Sequence, residues 1–141
     1  MKRKASAHWE GNLKAGKGTV TTASGVLKDT AYSFHTRFED GKGTNPEELI
    51  AAAHAGCFAM ALSGQLEGQG MVAKSLSVSA TVTLEKVGDG FAVTASHLDL
   101  LAKIPGADRG KFETAAQNAK AGCPISKLLN AKITLDAKLE S

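Results

Sequence analysis

Residues 44–62, TNPEELIAAAHAGCFAMAL, decide how this chain folds. The polar residues before Pro46 offer an N-cap, Pro46 takes the first helical position, and two glutamates follow in the first turn, where the helix dipole favours them. From residue 49 to 62 the helix is apolar on every face except at His54, and many of its side chains are small. A helix of this kind must be covered on all sides. A chain of 141 residues has too little material for that, so we expect a second subunit to cover one side.

Composition limits the classes of function. The chain has 141 residues, of which 43% are hydrophobic and 22% charged, and this fits one domain over residues 1–141. Its net charge is only +3, its lysines are scattered and its aromatic fraction is 5%, so we expect no nucleic-acid partner. The apolar run is shorter than the roughly 18 residues of a membrane span, and the basic N-terminus precedes no apolar stretch. We therefore expect no membrane association and a cytoplasmic location.

Residue periodicity predicts the remaining elements. Alternation and flanking glycines predict strands at 5–10, 18–23, 30–37, 74–85, 91–101 and 132–139. Asp108 predicts the start of a second helix, whose residues 112, 115, 116 and 119 form one buried stripe, and 123–129 form a short turn or helix. A change of parity within 91–101 predicts a β-bulge near His97. The order βββ-α-ββ-α-β indicates an α+β fold rather than alternating βαβ units.

The two cysteines, Cys57 and Cys123, are the candidates for chemistry. In a reducing compartment they are seldom a structural disulfide, so they are either two buried packing residues or a redox pair. His54, three residues before Cys57, is either a partner of that thiol or a packing residue, and the spacing alone leaves both interpretations open. The histidines and cysteines match no zinc motif and the glycines match no phosphate loop, so we expect neither a metal nor an organic cofactor.

Residues 44–62 resemble the signature helix of the osmotically inducible protein C (OsmC) family of peroxidases. Residues 122–126, GCPIS, resemble the second cysteine motif of that family, and the resemblance covers nearly the whole chain. It implies antiparallel sheets around a central buried helix in an intertwined homodimer. It also implies reduction of hydroperoxides, organic ones in preference to hydrogen peroxide, in oxidative and osmotic stress defence. The oxidised enzyme would need an external dithiol reductant, thioredoxin-like or lipoyl-linked.

The resemblance also assigns roles to four residues. Cys57 matches the peroxidatic cysteine and Cys123 the resolving cysteine. Glu47 matches the active-site glutamate of the family, and Arg37 matches the arginine of the OsmC branch. The sister branch, the organic hydroperoxide resistance proteins, draws its arginine from the N-terminal region, where this chain offers only Arg3 without matching context.

Physical chemistry is consistent with these roles. Only a thiolate attacks a peroxide oxygen, and a guanidinium beside Cys57 would favour that form. Ten helical residues rise about 15 Å, so Glu47 is expected to hold the planar fork of Arg37 rather than to touch Cys57. Without the resemblance, the favoured interpretation of Glu47 is an ordinary helix-dipole acid, and Glu48 is its close rival as the partner of Arg37.

Three apolar side chains, Phe58, Met60 and Ile125, are candidates for the wall of a peroxide pocket, although each could equally be a core residue. Because the two cysteines are 66 positions apart, only the fold can bring them together, and we expect them within disulfide reach in the reduced protein. Two alternatives remain at this point. One is a non-catalytic member of the fold with packing cysteines, and the other is a redox-sensing protein whose disulfide alters partner binding.

Overall fold

The structure is a computed structural model that describes all 141 residues. Its elements are β1 Ala5–Glu10, β2 Lys17–Thr22, β3 Thr30–Tyr32, α1 Phe34–Phe38, α2 Pro46–Gly68, β4 Ser75–Val87, β5 Gly90–Lys103, α3 Arg109–Gly122, α4 Pro124–Leu128 and β6 Lys132–Glu140. They form two compact units, Met1–Leu49 and Ile50–Ser141, and α2 begins in the first unit and continues in the second. The two small sheets and the helices confirm the predicted α+β class.

The first unit contains an antiparallel sheet of order β1-β2-β3. Trp9, Gly18 and Tyr32 lie opposite one another across its three strands. The rings of Trp9 and Tyr32 lie 5.5 Å apart, and a Cβ atom at position 18 would come within 2.5 Å of the tyrosine ring and 2.7 Å of the tryptophan ring. Glycine at position 18 therefore allows the two aromatic side chains to lie over the middle strand.

The predicted strand at 30–37 is wrong beyond Tyr32, because helix α1 begins immediately afterwards. Ser33 and Thr36 form a capping box: the Ser33 hydroxyl accepts from the Thr36 amide, and the Thr36 hydroxyl accepts from the Ser33 amide. These bonds satisfy amides that would otherwise lack partners at the helix start. The local cap overrides the alternating pattern and turns the chain so that Arg37 lies on a helix.

Helix α2 begins at Pro46, as predicted. The Asn45 side chain accepts a 2.7 Å hydrogen bond from the Glu48 amide and donates a 3.0 Å bond to the Thr36 carbonyl, so one residue caps α2 and ties its start to α1. Farther along, four side chains spaced four residues apart face the protein core: His54, Phe58, Leu62 and Leu66. The other face, which includes Ala52, Gly56, Met60 and Gly64, is exposed. By length and composition the helix could cross a membrane, but Phe58, Leu62 and Leu66 on its buried face belong to the hydrophobic core.

The second unit contains a sheet of order β4-β5-β6. Strands β4 and β5 are antiparallel as expected, but β6 pairs with β5 in parallel, which corrects the expectation of purely antiparallel sheets. Helices α3 and α4 form the crossover connection that a parallel pair requires. The predicted bulge is present in β5, but it lies at Thr94 rather than at His97. It brings Ser96 onto the same buried parity as Leu98 and Leu100.

Helix α3 begins after Asp108, whose carboxylate accepts a 2.9 Å hydrogen bond from the Lys111 amide. Its predicted stripe is confirmed, because Phe112, Ala115, Ala116 and Ala119 are buried. These residues join the buried face of α2 and the apolar face of β5 in a single core cluster. Packing on this core fixes the position of the C-terminal end of α3, where Cys123 lies.

Candidate active site

The two cysteines meet within the second unit. Cys57 lies in the middle of α2. Cys123 is both the C-cap residue of α3 and the N-cap residue of α4. Pro124 disfavours helical backbone at the preceding residue, and Cys123 accordingly has φ −54° and ψ 127°. Its sulfur lies 2.7 Å from the sulfur of Cys57, and both thiols are free. The expected approach within disulfide reach is confirmed.

The two sulfur sites differ in exposure and in hydrogen bonding. Cys57 is partly exposed, whereas Cys123 is fully buried at 0% exposure. Burial raises the pKa of Cys57, and its hydrogen bond with Cys123 raises it further. Burial also acts to raise the pKa of Cys123, but interactions with Cys57, with the amides of Ile125 and Ser126 and with the Ser126 hydroxyl together lower it. When the pair holds one proton, these directions favour the thiol on Cys57 and the thiolate on Cys123.

Arg37 and Glu47 meet within the first unit. The Arg37 Nε atom donates to both carboxylate oxygens at 3.1 and 3.2 Å, and Nη2 donates to Oε1 at 2.8 Å. None of these bonds uses Nη1. The Glu47 side chain is only 12% exposed, whereas that of Arg37 is 40% exposed. The carboxylate thus orients the planar guanidinium and leaves one end of it available to another partner.

Hydrogen bonding shows which of the two glutamates, Glu47 or Glu48, is the partner of Arg37. Glu48 accepts a 2.9 Å bond from the Thr44 hydroxyl and makes no bond to Arg37, so it belongs to the start of α2. Glu47 alone holds the arginine. Glu47 also lies in the first turn of α2, as a helix-dipole acid would, but it has a specific partner in Arg37 as well.

An aromatic cavity of about 290 Å³ lies beside Arg37 in the first unit. Its walls include Trp9, Tyr32, Phe34 and Phe38. The Arg37 guanidinium carbon lies 5.4 Å from the centre of the Phe38 ring, close enough for a cation–π interaction. A single cation at the edge of an apolar cavity suits a ligand with one polar end and a hydrocarbon body.

The three sequence candidates for a pocket wall have different environments. Phe58 is fully buried in the core cluster, so its role is packing. Met60 lies on the uncovered face of α2 and is 80% exposed. Ile125 is half-buried in α4, directly after Pro124. The aromatic side chains of the cavity in the first unit carry no spacing signal, and for that reason the sequence did not identify them.

His54 is not a partner of Cys57. Its Nδ1 lies 2.7 Å from the Ser96 hydroxyl oxygen and its Nε2 lies 2.7 Å from the Ser126 hydroxyl oxygen, and the imidazole is completely buried. Burial lowers the pKa of His54 below its ordinary value of 6.5, so the ring is neutral at physiological pH. The sequence carried one signal of this network, namely a serine at position 96 on the parity that β5 buries.

One further cluster of possible ligand atoms lies on the sheet of the second unit. His97 Nε2 is 3.4 Å from a carboxylate oxygen of Asp99 and 3.3 Å from one of Asp136, and the two aspartates lie opposite each other in the parallel register of β5 and β6. These donors are close enough together to hold a metal ion. The cluster shares no residue with the thiol pair or with the arginine–glutamate pair.

Comparison with known proteins shows the family of the chain. Residues 39–138 match the model of the OsmC family, described as OsmC-like protein. The chain is 54% identical over 139 residues to peroxiredoxin OsmC from Escherichia coli (strain K12), covering 99% of this chain and 97% of that protein. The chain belongs to the OsmC family. It is also 31% identical over 104 residues to an organic hydroperoxide resistance protein from Xanthomonas axonopodis pv. citri (strain 306), covering 70% of this chain and 68% of the other.

A solved structure of the OsmC family supports the same conclusion about the fold. The crystal structure of an organic hydroperoxide resistance protein OsmC from Legionella pneumophila matches with a TM-score of 0.71 and 27% identity, covering 100% of this chain and 98% of that one. The resemblance to the OsmC family that the sequence indicated is confirmed by the family match and by the similarity to peroxiredoxin OsmC.

The neutral, buried state of His54 predicts how stability depends on pH. In the unfolded chain this histidine takes up a proton near pH 6.5, whereas in the folded protein it does so only at lower pH. Its contribution to stability is therefore complete above pH 6.5 and is lost as the pH falls below that value. We expect the free energy of unfolding to decrease by up to about 1.4 kcal/mol per pH unit in that window.

Urea denaturation at fixed protein concentration measures this slope. The variant His54→Asn cannot titrate and should lose much of it, whereas the matched change His8→Asn, at an exposed histidine, should keep it. An unchanged slope in His54→Asn would show that other groups cause the pH dependence.

Proposed function

We propose that this protein reduces organic hydroperoxides, and hydrogen peroxide more weakly, through a sulfenic acid on Cys57 that Cys123 resolves. Its peroxidase function in oxidative-stress defence follows from its family and from its similarity to peroxiredoxin OsmC. The contact of 2.7 Å between a partly exposed thiol and a buried one is the observation that supports the two-cysteine chemistry. Two packing cysteines would need neither the contact nor the exposure of one of them.

Exposure supports the division of roles between the sulfurs. A peroxide from solvent can reach Cys57, which is partly exposed, but not Cys123, which is fully buried. The resting charge preference for Cys123 does not prevent this step, because transfer of the remaining proton across the contact yields a Cys57 thiolate beside a Cys123 thiol. The Arg37 guanidinium, oriented by Glu47, is the cation that we assign to favour this thiolate and to polarise the O–O bond.

The proposed reaction balances in two steps. The Cys57 thiolate attacks the outer peroxide oxygen, forming an S–O bond, breaking the O–O bond and releasing an alkoxide that takes a proton and leaves as an alcohol. Cys123 then attacks the sulfur of the sulfenic acid, forming the disulfide and releasing water. Two electrons from an external dithiol, thioredoxin-like or lipoyl-linked, return both cysteines to thiols. This reductant requirement is consistent with a cytoplasmic location, where such dithiols are maintained.

The cavity beside Arg37 supports the preference for organic substrates. Its aromatic walls can bind an alkyl or aryl group, and Arg37 at its edge can bind the polar peroxide end. Hydrogen peroxide has no hydrocarbon part and gains nothing from these walls. Arg37 and Glu47 belong to the first unit and Cys57 and Cys123 to the second, and we propose that residues 1–141 act as one domain.

The uncovered face of α2 supports a homodimer. Ala52, Gly56, Met60 and Gly64 repeat every four residues and are exposed, although the segment is apolar. A second copy of the chain would cover this face, and small side chains would allow close approach. We expect a permanent interface of more than about 2,000 Å².

Mass spectrometry after peroxide treatment tests the cysteine roles. Cys123→Ser should still be oxidised at Cys57 and, lacking a resolving thiol, should proceed to the sulfinic acid in excess peroxide. Cys57→Ser should remain reduced at Cys123. If Cys123 is the residue oxidised in Cys57→Ser while Cys57 stays reduced in Cys123→Ser, the roles are reversed.

Steady-state consumption of cumene hydroperoxide tests the arginine. Arg37→Lys keeps the charge but loses the planar fork, so its rate should fall about 10- to 100-fold, the value of one hydrogen bond to a charged group. Arg109→Lys is the matched control, because Arg109 is an exposed side chain paired only with Glu113. If Arg37→Ala changes neither this rate nor the thiol pKa of Cys57, the assignment of Arg37 is wrong.

Analytical sedimentation tests the dimer. Met60→Glu places a charge on the uncovered face of α2 and should yield a monomer, whereas Val26→Glu, at an equally exposed residue in the first unit, should remain dimeric. A stable folded monomer of the unmodified protein at micromolar concentration would contradict the proposed assembly.

A further inference from the structure

His54 is a buried titratable residue that the proposed reaction does not use. Its ring links three elements, since it lies on α2 and contacts Ser96 on β5 and Ser126 on α4, with both nitrogen–oxygen distances at 2.7 Å. All three side chains are buried. Ser126 is the third residue of α4, the helix that Cys123 caps, and the side chains of a helix cap and of the third residue lie next to each other. The lowered pKa of Cys123, to which the Ser126 hydroxyl contributes, is consistent with this placement. Ser96, His54 and Ser126 therefore form a polar chain that ends beside Cys123.

Proton counting gives this chain two arrangements. A neutral imidazole has one N–H group and one lone pair, so it donates to one serine and accepts from the other. With the proton on Nε2, the ring donates to Ser126, whose own hydroxyl proton is then free to point at the sulfur of Cys123. With the proton on Nδ1, Ser126 donates to the ring, and a lone pair of its oxygen faces Cys123 instead.

These two arrangements suit the two forms of the thiol. A Cys123 thiolate needs a donor, which the Nε2–H tautomer supplies through Ser126. A Cys123 thiol needs an acceptor for its S–H group, which the Nδ1–H tautomer supplies. Ser96 accommodates either tautomer, because a hydroxyl both donates and accepts. The ring never has to become charged in its apolar surroundings, where a charge would be costly.

We propose that the tautomer of His54 is coupled through Ser126 to the protonation state of Cys123, and that His54 is a positioning residue for the resolving step. The proposal rests on the two-cysteine function proposed above. In that step the Cys123 lone pair forms the S–S bond and the S–O bond of Cys57 breaks. Cys123 must lose its thiol proton to become the attacking thiolate. That proton combines with the hydroxide that leaves Cys57, and the two are released as water.

Nitrogen-15 NMR of the histidine rings tests the coupling directly. In Cys57→Ser, which retains Cys123 as the only thiol, raising the pH through the titration of that thiol should move the His54 proton from Nδ1 to Nε2. Adding Ser126→Ala should abolish the change of tautomer, whereas Ser126→Thr, which keeps a hydroxyl, should retain it. A single tautomer of His54 on both sides of the thiol titration would overturn the proposal.

The reactivity of Cys123 provides a second measurement. In the same Cys57→Ser background, the thiolate absorbance should show a higher pKa for Cys123 after Ser126→Ala and a value close to the original after Ser126→Thr. The change Ser77→Ala, on the exposed side of β4, is the matched control and should have no effect. A network that only stabilises the fold would change the stability of these variants and leave the thiol pKa in place, and this result would also overturn the proposal.

Single-turnover kinetics separates this proposal from the function on which it rests. With both cysteines present, Ser126→Ala should slow disulfide formation about five- to tenfold relative to sulfenic acid formation, the value of one hydrogen bond, and should raise the yield of sulfinic acid accordingly. If the unmodified protein forms no disulfide with peroxide, the proposed function fails. If it does and the ratio of the two rates is unchanged in Ser126→Ala, only the role of the polar chain fails.

Discussion

The contact between the sulfur atoms of Cys57 and Cys123 depends on how α2 is rotated about its own axis. The helix turns His54, Phe58, Leu62 and Leu66 into the core, and Cys57 lies next to Phe58 at the margin of that face. Successive residues of a helix are separated by about 100°, so a shift of one residue would carry the thiol away from α3 and α4. Apolar packing along several turns of α2 therefore fixes the geometry on which disulfide chemistry depends.

The buried imidazole of His54 also helps to fix the rotation of α2 about its axis. A histidine inside an apolar face destabilises the fold unless both of its nitrogens find partners, because an unpaired buried polar group loses its hydration without compensation. Ser96 and Ser126 are those partners, and both distances are 2.7 Å. Since Ser126 follows Cys123 by three residues in the same turn, the bond that satisfies His54 also holds the segment that carries the second thiol. The same serine therefore satisfies the buried histidine and belongs to the segment that positions Cys123.

Local signals in the sequence predicted much of the fold. Pro46 and Asp108 mark helix starts that the structure confirms, and the alternation in β4 gives its buried face. Features that depend on contacts between residues far apart in the sequence were not predicted. The parallel direction of β6 follows from the α3–α4 crossover, and the serine partners of His54 lie 42 and 72 positions away. Helix α1 was missed for a different reason: the capping box at Ser33 lies within a stretch whose alternation resembles a strand. The pairing of Arg37 with Glu47 was expected only through the family resemblance.

The environments of the two sulfurs suit different steps of the proposed cycle. The first nucleophile has to meet a peroxide from solvent, and exposure is the property that only Cys57 offers. The second nucleophile attacks a sulfur that is already in contact with it, so it needs no access and can be enclosed by the amides and the hydroxyl that favour its thiolate. Enclosing Cys57 in the same way would lower its pKa but close it to substrate. An oriented cation such as Arg37 offers another solution, because it can favour a thiolate without covering it with backbone. Access and charge stabilisation compete at a single thiol, and two thiols in contact allow the chain to satisfy both.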